Sequence, residues 1–67
     1  MSVLKVVELM GDSSKSFEDA VRQAVKEAGK SINNIKSAWV KDQSVQVDGD
    51  TVTSYRVTVK ISFEVDR

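Results

Sequence analysis

From Thr51 to Asp66 the chain reads TVTSYRVTVKISFEVD. Tyr55, Val57, Val59, Ile61, Phe63 and Val65 fall on one side; Arg56, Thr58, Lys60, Ser62, Glu64 and Asp66 fall on the other. Alternation of this length predicts a β-strand with one face on a core and the other toward water, charge or a polar ligand. Ser2 to Met10, SVLKVVELM, predicts a first strand. Its apolar residues lie on both faces: Val3, Val7 and Leu9 on one, Leu4, Val6 and Met10 on the other. That pattern suits a strand covered on both sides, or one with a face in a subunit contact. Lys36 to Val47, KSAWVKDQSVQV, predicts another strand before the last.

Between the first two strands the period changes. Phe17, Ala20, Val21, Ala24, Val25, Ala28 and Ile32 form one helical stripe. Gly11 to Lys15 reads as a turn and Ser16 as the helix N-cap, with Glu18 and Asp19 at the positive end of the helix dipole. Asp19 stands where a capping box carries Glu or Gln, so the box is imperfect. The helix is expected over residues 16–32, weakened by Gly29 and ended by Asn33-Asn34. Asp48-Gly49 predicts a two-residue hairpin loop. With that loop, Ala38 faces Val59 and Val40 faces Val57 on the apolar side. Ser37 then faces Lys60, Trp39 faces Thr58 and Lys41 faces Arg56 on the polar side. A bulge near Gln43 and Ser44 would shift this register by one.

The order is strand-helix-strand-strand, an α+β chain of 67 residues read as one domain, 1–67. So short a chain buries little of its surface, and small domains rely on disulfides, metals or partner subunits. Cysteine and histidine are both absent. That excludes disulfides, thiolate chemistry and zinc sites of the Cys/His kind, and removes the commonest general base. Oligomerisation is the remaining staple. Ten basic and ten acidic residues balance, and without a basic cluster no nucleic-acid footprint is expected. The N-terminal apolar stretch is too short and interrupted for a signal or membrane segment, so no membrane partner and a cytoplasmic location are expected.

The expected register sets Trp39, the single tryptophan, beside Arg56, Thr58 and Lys60, on the face away from the helix. An indole near a guanidinium is a platform for an aromatic or anionic ligand. The commoner fate of such a tryptophan is a subunit contact, since tryptophan is enriched in interface cores. Arg56 and Lys60 suit phosphate or carboxylate, although cross-strand ion pairing is the commoner fate of such residues. Asp48-Gly49-Asp50 lacks the alternate acidic ligands and flanking helices of an EF-hand loop. Gly11 belongs to no phosphate-binding glycine motif. Nothing singles out a carboxylate pair such as Glu8 and Glu64 for acid/base work, so no enzymatic activity is expected.

Several segments resemble the dodecin family. They are Lys5-Val6-Val7-Glu8-Leu9 with Gly11 and Ser13, Ser16-Phe17-Glu18, Asn34-Ile35, Val40-Lys41-Asp42-Gln43, and the run from Tyr55 to Phe63-Glu64-Val65-Asp66. The resemblance implies a three-stranded antiparallel sheet partly wrapped around one helix. It also implies a hollow homododecamer with helices outside and sheets lining the interior, and a role in binding and storing flavins (riboflavin or FMN). In such proteins the flavin stacks on a tryptophan and its symmetry mate, and a strand-three glutamine meets the ring edge. The tryptophan position is Ser37 here and the glutamine position is Arg56. Trp39, two residues on, shares the face of Ser37 but is offset by roughly 6–7 Å. The chain is similar to a subset that lacks the stacking tryptophan, carries an arginine after the tyrosine, and is associated with calcium. The resemblance thus implies Ser37, Trp39 and Arg56 as ligand-site positions. Asp42, Glu64 and Asp66 are acidic candidates for calcium near the expected assembly surfaces. A structural oligomer without ligand is the third reading.

Overall fold

The computed structural model describes residues 3–65. It contains β1 (Leu4–Ser13), α1 (Phe17–Gly29), β2 (Ile35–Asp48) and β3 (Thr51–Glu64). The sheet order is β1-β3-β2, antiparallel at both pairings. β1 and β2 therefore run the same way on either side of β3, and α1 is the crossover between them. The strand with the cleanest alternation is the central one, with Val57, Val59 and Ile61 buried on its inner face.

The core is thin. Ala20, Ala24 and Ala28 of α1 pack against Val57, Val59 and Ile61 of β3, all buried. Val7, Leu9, Phe17, Val21, Val25, Ile32 and Ile35 close around them. Three alanines on one helical stripe let the helix approach the sheet closely. The approach is tightest at Gly11, where a Cβ would lie 2.4 Å from the Ala20 carbonyl oxygen and 3.1 Å from the Ala24 Cβ. Glycine inside a strand commonly marks such a contact. Above it, the Phe17 ring meets the Tyr55 ring edge-on at 5.1 Å.

The helix begins as its sequence suggests. The Ser16 hydroxyl accepts from the Asp19 amide at 3.0 Å. Aspartate is too short to complete a capping box, and Ser13 takes over part of that task. Its hydroxyl donates to Asp19 Oδ2 at 2.7 Å and accepts from the Lys15 and Ser16 amides at 2.9 and 3.4 Å. The expected helix C-terminus is corrected: α1 stops at Gly29 rather than near Ile32. The Ala28 carbonyl accepts from the Ser31 and Ile32 amides, and this turn still folds Ile32 back onto the core. Asn34 follows at φ 63°, a conformation that asparagine tolerates better than most residues. β1 is also longer than expected: it runs through the supposed turn as far as Ser13.

The expected hairpin register is corrected as well. The loop is Gly49-Asp50, flanked by the pair Asp48 and Thr51. Gly49 has φ 65°, and Asp50 has no positive φ. This is the glycine-first pattern of a II′ turn rather than I′. Thr53 is bulged out of β3, and Lys41 and Lys36 out of β2. Moving the loop by one residue shifts the paired sum by two over 37–40, which keeps those side chains on their face but gives them new partners, whereas between the Thr53 and Lys41 bulges the sum shifts by three and Asp42 to Gln46 turn to the opposite face. Ala38 faces Ile61, Val40 faces Val59, Trp39 faces Lys60 and Ser37 faces Ser62. Arg56 faces Ser44, four residues along β3 from Lys60 and roughly 13 Å away. Trp39 and Arg56 are therefore not neighbours.

Candidate functional site: the open face of the sheet

α1 covers one side of β1 and β3, leaving the other side of the sheet open. The pairings arrange that face in rows. Leu4 and Glu64 form the first. Val6, Ser62 and Ser37 form the next, then Glu8, Lys60 and Trp39. Met10, Thr58 and Asp42 follow, and Asp12, Arg56 and Ser44 complete the series. Leu4, Val6, Met10 and Trp39 are about half exposed here, so the face is apolar and charged at once. Among the described residues no helix is long and apolar enough to cross a membrane.

Arg56 is pinned. Its Nε donates to Asp12 Oδ1 and its Nη2 to Asp12 Oδ2, both at 3.0 Å. The two-bonded fork holds the guanidinium flat across the β3–β1 pair. The hydrogen bond from Arg56 holds the Asp12 carboxyl below its ordinary range, against partial desolvation, and the same bond raises Arg56. A hollow of about 280 Å³ beside this pair is lined by Met10, Gly11, Asp12 and Arg56. Asp12 was overlooked in the sequence because GDSSK reads as a turn. Continuing the β1 alternation through Met10 would have put Asp12 on the face of Glu8 and Met10.

Ser37 is also engaged. Its hydroxyl lies 2.6 Å from that of Ser62, which is nearly buried. Trp39 lies one row away and is 48% exposed. Lys41, carried over the face by its bulge, donates to Glu8 Oε2 at 3.4 Å. The face thus brings Ser37 and Trp39 onto adjacent rows and sets Arg56 apart.

Asp42 lies opposite Thr58, and Glu64 six residues further along β3, roughly 20 Å away. Glu8 and Glu64 are four residues apart by the same pairing and form no dyad. Asp66 lies outside the described residues. Among the described residues no three carboxylates gather in one protomer. Glu8 and Asp12 are held in ion pairs, whereas among the described residues Asp42 and Glu64 make none. Hard oxygen donors of this kind suit calcium only when several meet.

A model of the dodecin family matches residues 3–66, and the chain belongs to that family. Calcium dodecin of Mycobacterium tuberculosis is 37% identical over 65 residues, spanning 97% of this chain and 92% of that protein. A solved structure of calcium dodecin from the same organism, described as a calcium-chelating immunodominant antigen with a novel calcium-binding site, is 35% identical. It superposes with a TM-score of 0.83 over 97% of this chain and 93% of that one. A mutant of the Thermus thermophilus dodecin is 27% identical and superposes with a TM-score of 0.94, covering the whole of both chains.

Proposed function

We propose that this chain is the subunit of a non-enzymatic homododecameric cage that binds calcium in place of flavin. The observation that carries this reading is the state of the two positions where the family resemblance implies flavin contacts. Ser37 offers a hydroxyl tied to Ser62 instead of a ring to stack on. Arg56 offers a guanidinium tied to Asp12 instead of an amide free to meet a ring edge. The 37% identity to calcium dodecin supports the same choice.

Assembly is supported by what the protomer leaves uncovered. β2 is an edge strand of 14 residues, exposed or half-exposed throughout. Val40, Val45 and Val47 on it remain partly in water. Long edges and unshared apolar surface of this kind favour pairing with further copies. Calcium would then be held by Asp42, Glu64 and Asp66 from neighbouring copies, since Asp42 and Glu64 of one copy stand too far apart to share an ion. Trp39, on the face of Ser37, supports flavin binding as the second reading; a ligand-free structural oligomer is the third.

The test is a pair of titrations on the purified protein. Riboflavin and FMN fluorescence should be unchanged by its addition, whereas strong quenching would return the flavin reading to first place. Calcium at a hundredfold excess over Kd should stabilise the fold by about 2.7 kcal/mol, seen as a rise in melting temperature that magnesium does not reproduce. Indifference to both ligands would leave the structural oligomer. A monomer by light scattering at micromolar concentration would sink the cage itself.

A further inference from the structure

We propose that the Asp48-Gly49 bond at the tip of the β2–β3 hairpin is a modification site, where aspartate converts spontaneously to isoaspartate. The conversion needs no ligand and no calcium. Gly49 is the first loop residue, at φ 65°, and Asp48 closes the ladder opposite Thr51. Both are exposed. Among the described residues, neither the Gly49 amide nor the Asp48 carboxyl takes part in a hydrogen bond, and Asp48 makes no ion pair. A Cβ added to Gly49 would meet nothing within 4 Å, so no neighbouring group screens its nitrogen.

The other described aspartates lack this combination. Asp12 is held by the Arg56 fork and Asp19 by the Ser13 hydroxyl inside the first turn of α1. Asp42 lies within β2 and precedes Gln43. Asp50 accepts from the Thr51 hydroxyl, and the β-branched Thr51 crowds the nitrogen that would have to attack. The hairpin end is also loosely held. No residue over 44–54 joins the core, Val45, Val47 and Val52 stay partly in water, and the Thr53 bulge interrupts the ladder. Such an end opens at lower free energy than the sheet beneath α1 and samples the bent conformations that attack requires.

The step balances without an oxidant. The Gly49 nitrogen attacks Cγ of Asp48 and forms an N–Cγ bond, while the carboxyl hydroxyl leaves as water with the amide proton. Water then opens the succinimide at either carbonyl. Cleavage at Cγ restores aspartate; cleavage at the main-chain carbonyl leaves the backbone running through the side chain, as isoaspartate. The chain then carries one extra carbon at Asp48, which spoils the pairing with Thr51 that closes the hairpin.

The experiment is to age the assembled protein in heavy-oxygen water and map the tryptic peptide 42–56, which contains Asp42, Asp48 and Asp50. One heavy oxygen should enter at Asp48 and none at Asp42 or Asp50, in two species of equal mass that separate by chromatography. Asp48→Glu, which would need a larger and slower-forming ring, should lose the uptake. Gly49→Asn, which tolerates the positive φ but adds a side chain beside the nitrogen, should slow it. In the isoaspartyl form, the amide hydrogens of Val47 and Val52 should exchange faster than in the parent. No uptake in the assembly, label spread evenly over the three aspartates, or an unaffected Asp48→Glu variant would each overturn the site. Unchanged exchange in the converted protein would overturn the opening of the hairpin.

Discussion

Replacing Gly11 by alanine tests how closely β1 and α1 approach. The added methyl carbon would stand 2.4 Å from the Ala20 carbonyl oxygen, a backbone atom inside a helix that no rotamer change can move. Ordinary contact begins near 3.4 Å, so the helix must retreat by about 1 Å or β1 must bend. Either movement opens the interface between Ala20, Ala24 and β3. Overpacking of this kind costs about 1–3 kcal/mol. At roughly 4–8 °C per kcal/mol for a chain of this size, a 2 kcal/mol loss lowers the melting temperature by roughly 8–16 °C. Gly29→Ala is the matched control, since nothing lies within 4 Å of its added carbon and it sits in the last turn of α1. It should stabilise by up to about 1 kcal/mol through helix propensity alone. Both are read by far-ultraviolet circular dichroism melts at one fixed protein concentration, because association shifts the apparent midpoint. A Gly11→Ala protein melting within about 2 °C of the parent would show that the close approach does not constrain the fold.

Other substitutions probe the remaining links. Ser16→Ala removes the acceptor of the Asp19 amide and should cost about 1 kcal/mol in the same melts, with Ser16→Asp restoring most of it. Ile61→Ala, at a fully buried position of the central strand, should cost about 2–5 kcal/mol; a cost well below that range would mean that the core collapses around the gap. Asp12 is depressed chiefly by its hydrogen bond from Arg56, and Asp19 chiefly by that from Ser13. A depressed carboxyl holds fewer protons folded than unfolded near its ordinary value of 3.8. Its stabilisation is therefore complete above that pH and is lost as pH falls through the lower folded value. Asp12→Asn should accordingly melt below the parent at neutral pH, with the gap closing under acid; a gap constant with pH would contradict the ion pair.

Much of the architecture was legible along the chain. Alternation from Tyr55 to Phe63 located the strand whose inner face is the core, and the 3.6-residue stripe from Phe17 to Ala28 located the helix that covers it. Ser16 marked the helix start by its own hydroxyl chemistry. Even Trp39 was placed on the correct face with the wrong partner, because faces follow local parity and a two-residue slip preserves it. These features depend on residues a few positions apart, whose geometry the backbone period dictates.

The site depended on contacts that no local period encodes. Bulges at Lys36, Lys41 and Thr53 help set which residues share a row, and the one-residue shift of the loop to Gly49-Asp50 separated Trp39 from Arg56. The Asp12–Arg56 fork joins residues 44 positions apart, and Lys41–Glu8 joins residues 33 apart. The Ser37–Ser62 bond and the fit of Gly11 beneath Ala20 likewise exist only once helix and sheet are packed. The sequence alone determined the elements and their inward faces, since side-chain direction follows backbone periodicity. Tertiary structure decided which charges neutralise one another and which remain available to a ligand, since a hydrogen bond forms only at the distance and angle that the finished packing imposes.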